Sequence, residues 1–106
     1  MAITDLSDYK NLYIESVRKS VSSLHEQCNK LANNSLDKEA VRNLHIASHS
    51  LRSRSQVMGY ADIASLSEAI ERKSDDILRG VGKVDDEFIA NLNNFIDRLN
   101  LELIKL

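Results

Sequence analysis

This 106-residue sequence predicts an all-α fold, an antiparallel up-and-down four-helix bundle, on three observations. There is no proline, and only three glycines occur, Gly59, Gly80 and Gly82. Proline in a helix interior removes a hydrogen bond and clashes with the preceding turn, so long proline-free runs favour helices. Apolar residues, the β-branched ones included, recur at helical spacing and not in alternation, which marks helix faces and gives no strand. The periodic stretches number four and are separated by short clusters of Asn, Asp, Ser and Gly. Short connections make successive helices antiparallel neighbours.

The first helix is expected from about Asp8 to Asn33, with Val17, Val21, Leu24, Cys28 and Leu31 as one stripe. Ser7 or Asp5 is its expected cap, accepting a bond from a free backbone N–H. The cluster Asn33-Asn34-Ser35 is expected to end it, because asparagine tolerates the left-handed conformation that closes a helix. The second helix starts after Asp37, a cap, and runs to about Met58. Its inner stripe is read as Leu44, Ala47, Ser48, Leu51, Ser55 and Met58. The small residues in that stripe let neighbouring helices approach closely. Gly59 breaks the helix and allows a tight corner.

The third helix covers roughly Ala61 to Arg79, with Ile63, Leu66, Ile70 and Ile77 on its buried face and Gly80 just past its end. After a connection through Val81, Gly82, Lys83 and Val84, Asp85 caps the fourth helix. Its stripe is read as Phe88, Leu92, Phe95, Leu99 and the Leu103-Ile104 pair.

Composition narrows the function classes. At 42% hydrophobic and 28% charged, the chain suits a folded domain and not a disordered one, and its length suits one domain, residues 1–106. A net charge of −2 lacks the basic stripe that counterion-release binding to nucleic acid requires. Cys28 is alone, which excludes a disulfide framework and makes a reducing, cytoplasmic setting the natural expectation. Met1 to Tyr13 carries Asp5 and Asp8 and no apolar run, so it does not read as a signal peptide, and no stretch reaches membrane-spanning length.

The second helix also carries the residues that point to chemistry. At about 100° per residue, His49 lies roughly 150° from the centre of the apolar stripe, facing solvent. His45, Arg52, Ser53 and Gln56 fall on the same side, and Arg54 points away from His49. The plainest reading of His49 is an ordinary surface histidine, and of Arg52 a solvated charge. His45 and His49, at i and i+4, also form two of the ligands of a metal site, but no third is evident. No Gly-x-Ser-x-Gly elbow supports a hydrolase. Cys28 and Met58 read as core packing, and His25 receives no role.

The run Ala47, His49, Ser50, Leu51, Arg52, followed ten and eleven residues after the histidine by Gly59-Tyr60, and then Leu66, Glu68 and Glu71 on the third helix, resembles the histidine phosphotransfer (HPt) domain. It looks most like the N-terminal phosphotransfer domain of the chemotaxis histidine kinase CheA, and the resemblance spans about Tyr9 to Ile104. It implies that His49 is the phosphoryl-accepting histidine. Arg52 stands at the position of a lysine whose cation steadies the phosphoryl group. Glu71 matches the glutamate that holds the other ring nitrogen, fixing the tautomer and leaving Nε2 as nucleophile. Three departures stand out. Arg52 replaces the lysine, with a fork that can hold two oxygens at once. Ser53 replaces a glycine one turn after the histidine. Glu68 occupies a position where a second histidine is common.

The resemblance implies a phosphotransfer module in two-component signalling. Its partners would be a kinase ATP-binding domain and a response-regulator receiver domain, with no nucleic acid and no membrane insertion, and the isolated module would be monomeric. It implies no cofactor in this domain: ATP and Mg²⁺ would be bound by the kinase or receiver, and the chain alone would not hydrolyse ATP. A piece of a longer kinase is the expectation that follows. Read without the resemblance, every helix is equally explained by packing, as in a helical adaptor or oligomerisation bundle.

Overall fold

The computed structural model describes the backbone from Leu6 and side chains from Asp8 to Leu106, so the cap expected at Asp5 lies outside the described residues, whereas Ser7 is already helical and is not the cap. Four helices follow in order: α1 Leu6–Asn33, α2 Lys38–Met58, α3 Ala61–Leu78 and α4 Asp86–Ile104. Each packs against its two neighbours around a ring, α1 on α2, α2 on α3, α3 on α4 and α4 back on α1, as in an up-and-down bundle. The long dimension, 46 Å, follows from α1, whose 28 residues at about 1.5 Å rise each span most of it.

The helix ends have local causes. Asp37 accepts from the backbone N–H of Ala40 at 3.0 Å, and Asp85 from that of Phe88 at 2.8 Å, each satisfying one orphan donor of a first turn. α2 and α3 close with the same device. Gly59 at φ +81° and Gly80 at φ +76° let the next N–H reach back five residues, Tyr60 to Ser55 O (2.9 Å) and Val81 to Asp76 O (2.9 Å). The end of α1 differs from expectation. No non-glycine residue among those described has a positive φ, so Asn34 does not turn left-handed. Its side-chain oxygen instead accepts from Leu36 N at 3.1 Å and its carbonyl from Asp37 N at 3.1 Å, a side-chain turn that needs no strained backbone.

One apolar core runs the length of the bundle. Val17, Leu24, Cys28 and Leu31 from α1, Leu44 and Leu51 from α2, Ile63 and Ile70 from α3, and Leu92, Ile96 and Leu99 from α4 are essentially inaccessible. Each fully buried Leu or Ile is worth about 1.5–3 kcal/mol relative to exposure. The α4 stripe is corrected by one position. Ile96 is fully buried, Phe95 and Leu103 only partly, and Ile104 is 80% exposed. Phe95 and Ile96 compete for one step of the stripe, and only the angle at which α4 meets its neighbours selects Ile96. In α2, Ala40 and Val41 join the core, whereas Ala47 and Met58 stand at its edge.

Four serines are fully buried, Ser48 and Ser55 on α2 and Ser67 and Ser74 on α3. Three bond back to the carbonyl four residues earlier: Ser48 to Leu44 O (2.7 Å), Ser67 to Ile63 O (2.7 Å) and Ser74 to Ile70 O (3.0 Å). The fourth, Ser55, pairs with the Tyr13 hydroxyl at 2.7 Å. Each hydroxyl is thereby satisfied without a long side chain.

Candidate functional site

Burial of Leu44, Ser48 and Leu51 fixes the rotation of α2, and His49 must then point outward. Its side chain is 56% exposed. The structure brings the three expected residues together. Glu71, projecting from α3, places Oε2 2.7 Å from His49 Nδ1 and Oε1 2.5 Å from Arg52 Nε. Arg52 Nη2 lies 3.5 Å from Glu71 Oε2, and Nη1 donates to Gln56 Oε1 at 3.1 Å.

The protonation pattern follows from donor inventory. Burial pushes the Glu71 carboxyl up, but hydrogen bonds from Arg52 and His49, together with the Arg52 charge, outweigh it and hold the carboxyl below its usual range. The ionised carboxylate only accepts, so His49 Nδ1 carries the hydrogen it shares with Glu71. Nε2 is then the lone-pair nitrogen, on the exposed ring's far side from Glu71. Arg52 Nη2 also lies 3.1 Å from Nδ1. Two donors cannot bond each other, so that approach is a charge standing beside the ring and not a hydrogen bond. Glu71 in turn holds the Arg52 guanidinium protonated even more firmly than usual.

His49 separates two unlike surfaces. Towards α3 lies a polar notch lined by His45, Arg52, Glu68, Glu71, Arg72 and Asp75. Glu68 is paired there with Arg72 at 2.7 Å. Towards α1 lies an open groove of about 880 Å³, with Tyr9, Leu12, Ile46, Ala47, Val57 and Met58 among its lining. Ser50 and Ser53 belong to the groove and not to the notch, so Ser53 parts company with Arg52 and Gln56. Arg54 also lines the groove. Beneath it Tyr13 stacks on Tyr60, with centroids 4.9 Å apart, and bonds Ser55.

His45 is half-buried, its ring 6.4 Å from that of His49, and its Nδ1 is enclosed without a partner. Among the described residues no group of three or more His, Cys, Asp or Glu is arranged to hold a metal ion, so the His45–His49 pair gains no third ligand. Cys28 is buried, its thiol pushed up by burial and donating to Asn93 Oδ1 at 3.3 Å. His25 is exposed. Gln56, placed on the histidine's face by the wheel but given no role there, is the partner that sequence reasoning missed. Its i+4 spacing from Arg52 was the available signal.

No protein-family model matches the chain. Among characterised proteins it is similar to the chemotaxis protein CheA of Bacillus subtilis (strain 168), 26% identical over 95 residues. That match takes in 90% of this chain and 14% of the relative, so the chain spans about one seventh of that protein's length. Among solved structures it is similar to the CheA phosphotransferase domain from Thermotoga maritima, with a TM-score of 0.86 over 92% of this chain and 93% of that one, at 18% identity. Among the described residues no helix is long and apolar enough to cross a membrane. The chain therefore has the four-helix fold of a CheA phosphotransferase domain, and its likeness to CheA extends from sequence to structure.

Proposed function

We propose that the chain is a histidine phosphotransfer module of two-component signalling in which His49 is the phosphoryl carrier. The observation that carries this reading is the exposed imidazole whose Nδ1 is held by Glu71 at 2.7 Å. The likeness to CheA in sequence and fold supports it. The Nε2 lone pair forms the N–P bond to the γ-phosphorus of ATP held by a kinase domain. The O–P bond breaks, and its electron pair leaves with ADP. No proton needs to leave Nε2, because Nδ1 carries the ring's hydrogen. Glu71 then faces the positive charge that develops on the ring.

In the return step a receiver aspartate oxygen attacks phosphorus, and the N–P electron pair goes back to Nε2. We assign ATP and Mg²⁺ to the partner domains, so that this chain supplies only a presented, oriented nucleophile. The partners are accordingly a kinase ATP-binding domain and a receiver domain in the cytoplasm. The groove beside Ser50 and Ser53 is an apolar surface against which such a domain can close. We assign to Arg52, one turn after His49, the part of the phosphoryl-steadying cation.

The test is labelling with a cognate kinase domain and ATP, or with a small phosphodonor such as phosphoramidate. Wild type is expected to take up acid-labile, base-stable label, and His49→Gln none. Equal labelling of His49→Gln would move the acceptor elsewhere, and an unlabelled wild type would favour a helical adaptor.

A further inference from the structure

We propose that Ser53 is a phosphoryl-binding residue: its hydroxyl donates to an oxygen of the group carried on His49 Nε2, from the side of the ring opposite Glu71. The proposal rests on the reading of His49 as acceptor and deepens it. Ser53 stands four residues after His49, so the two are neighbours on one surface of α2, with about 5–6 Å between their Cβ atoms. At about 100° per residue, Ser53 lies about 40° round the helix from His49 towards the groove, and Arg52 about 60° the other way, towards Glu71. Side chains on a helix lean towards its N-terminus, so the Ser53 hydroxyl covers the turn that holds His49. The ring is held with Nδ1 to Glu71, which turns Nε2 away from α3 and towards the flank on which Ser53 stands.

The hydroxyl is uncommitted. Ser48, Ser67 and Ser74 donate to carbonyls of their own helices, Ser55 pairs with Tyr13, and Ser16, on the facing wall of the groove, donates to Tyr13 O at 2.8 Å. Ser53 is half-buried, and among the described residues its hydroxyl has no protein partner. The donors on the other flank are engaged: Arg52 Nε and Nη2 face Glu71, and Nη1 donates to Gln56. Arg52 therefore offers the phosphoryl group its charge, and Ser53 offers the hydrogen bond. In transfer from phosphoramidate, the donor's N–P bond breaks with its electron pair leaving on ammonia, and the Nε2 lone pair forms the new N–P bond. Negative charge is spread over the three oxygens of the transferring group, where a fixed donor stabilises it. Ser53 keeps its proton throughout. A glycine at this position would leave the approach open but supply no donor.

The experiment uses the whole 106-residue chain as wild type, Ser53→Ala, Ser53→Gly and Ser53→Thr, each checked for native helicity. Phosphoramidate labelling gives the rate, and the ³¹P chemical shift of the phosphohistidine reports the surroundings of its oxygens. Ser53→Ala is expected to slow labelling about three- to tenfold, the scale of one hydrogen bond, and to move the ³¹P resonance. Ser53→Gly should match Ser53→Ala, and Ser53→Thr, which keeps the hydroxyl, should stay within about twofold of wild type. The proposal is overturned if Ser53→Ala labels within about twofold of wild type or leaves the resonance unmoved. It is equally overturned if Ser53→Gly labels faster than wild type, or if Ser53→Thr is as slow as Ser53→Ala. In each of those cases His49 still takes label, and its role as acceptor stands. A wild type whose His49 takes no label overturns both readings.

Discussion

The two flanks of His49 are built on opposite principles. On the α3 side, four polar side chains from two helices lock one another: His49 to Glu71, Glu71 to Arg52, Arg52 to Gln56. On the α1 side, Leu12, Ile46 and Val57 stand 59%, 65% and 86% exposed over a groove in which Ser50 and Ser53 are the small polar neighbours of the histidine. A closed hydrogen-bond network orients what it holds, because each donor has a direction. An exposed apolar patch orients nothing by itself and gains free energy only when something covers it. Under the proposed function, the difference divides the labour around one imidazole, with the ring oriented on the α3 side and contact surface left open on the α1 side.

That division can be broken by substitution, the largest effect first. Glu71→Ala removes the acceptor on Nδ1, and phosphoramidate labelling of His49 should slow by roughly ten- to hundredfold, the equivalent of about 1.5–3 kcal/mol for a charge-assisted hydrogen bond. An unchanged rate would mean that the polar flank prepares nothing. Next comes Tyr13→Phe, beneath the groove. It leaves the buried Ser55 hydroxyl without its 2.7 Å partner and should cost about 1 kcal/mol in urea unfolding, with labelling by the small donor unaffected.

The pH dependence of the polar flank is a smaller effect with a definite sign. The Glu71 carboxyl is held below its ordinary value of 4.5 in the folded chain. Its contribution to stability is therefore complete above about 4.5 and is lost as pH falls through the lower folded value. The difference in melting temperature between wild type and Glu71→Gln should stay level from pH 7 to pH 5 and shrink below that. A difference that grows on acidification would contradict the assignment. Smallest of all, Ile46→Ser with Val57→Ser on the apolar flank should change stability by no more than about 0.5 kcal/mol, since both side chains already face water. The same pair should leave phosphoramidate labelling unchanged and slow phosphorylation by a kinase domain. Equal slowing with both donors would erase the distinction between the flanks.

Much of this molecule is local in origin. The period of the apolar residues, the caps at Asp37 and Asp85 and the glycines at 59 and 80 act over a turn or two of chain, and they fix the four helices and their ends almost to the residue. The same period turns His49 outward once Leu44 and Leu51 turn inward. The sequence by itself therefore determined the helices, the exposed histidine and, through its likeness to phosphotransfer domains, Glu71 as the residue to look for. Tertiary structure alone decided what depends on the relative angle and height of two helices. It chose Ile96 over Phe95 for the core, set Ser53 with the groove while Arg52 and Gln56 went to the other flank, and aimed the Arg52 fork at Glu71. Periodicity places a residue on a face of its own helix to within some tens of degrees, but a hydrogen bond between helices is set to within a few tenths of an ångström by packing across the whole bundle.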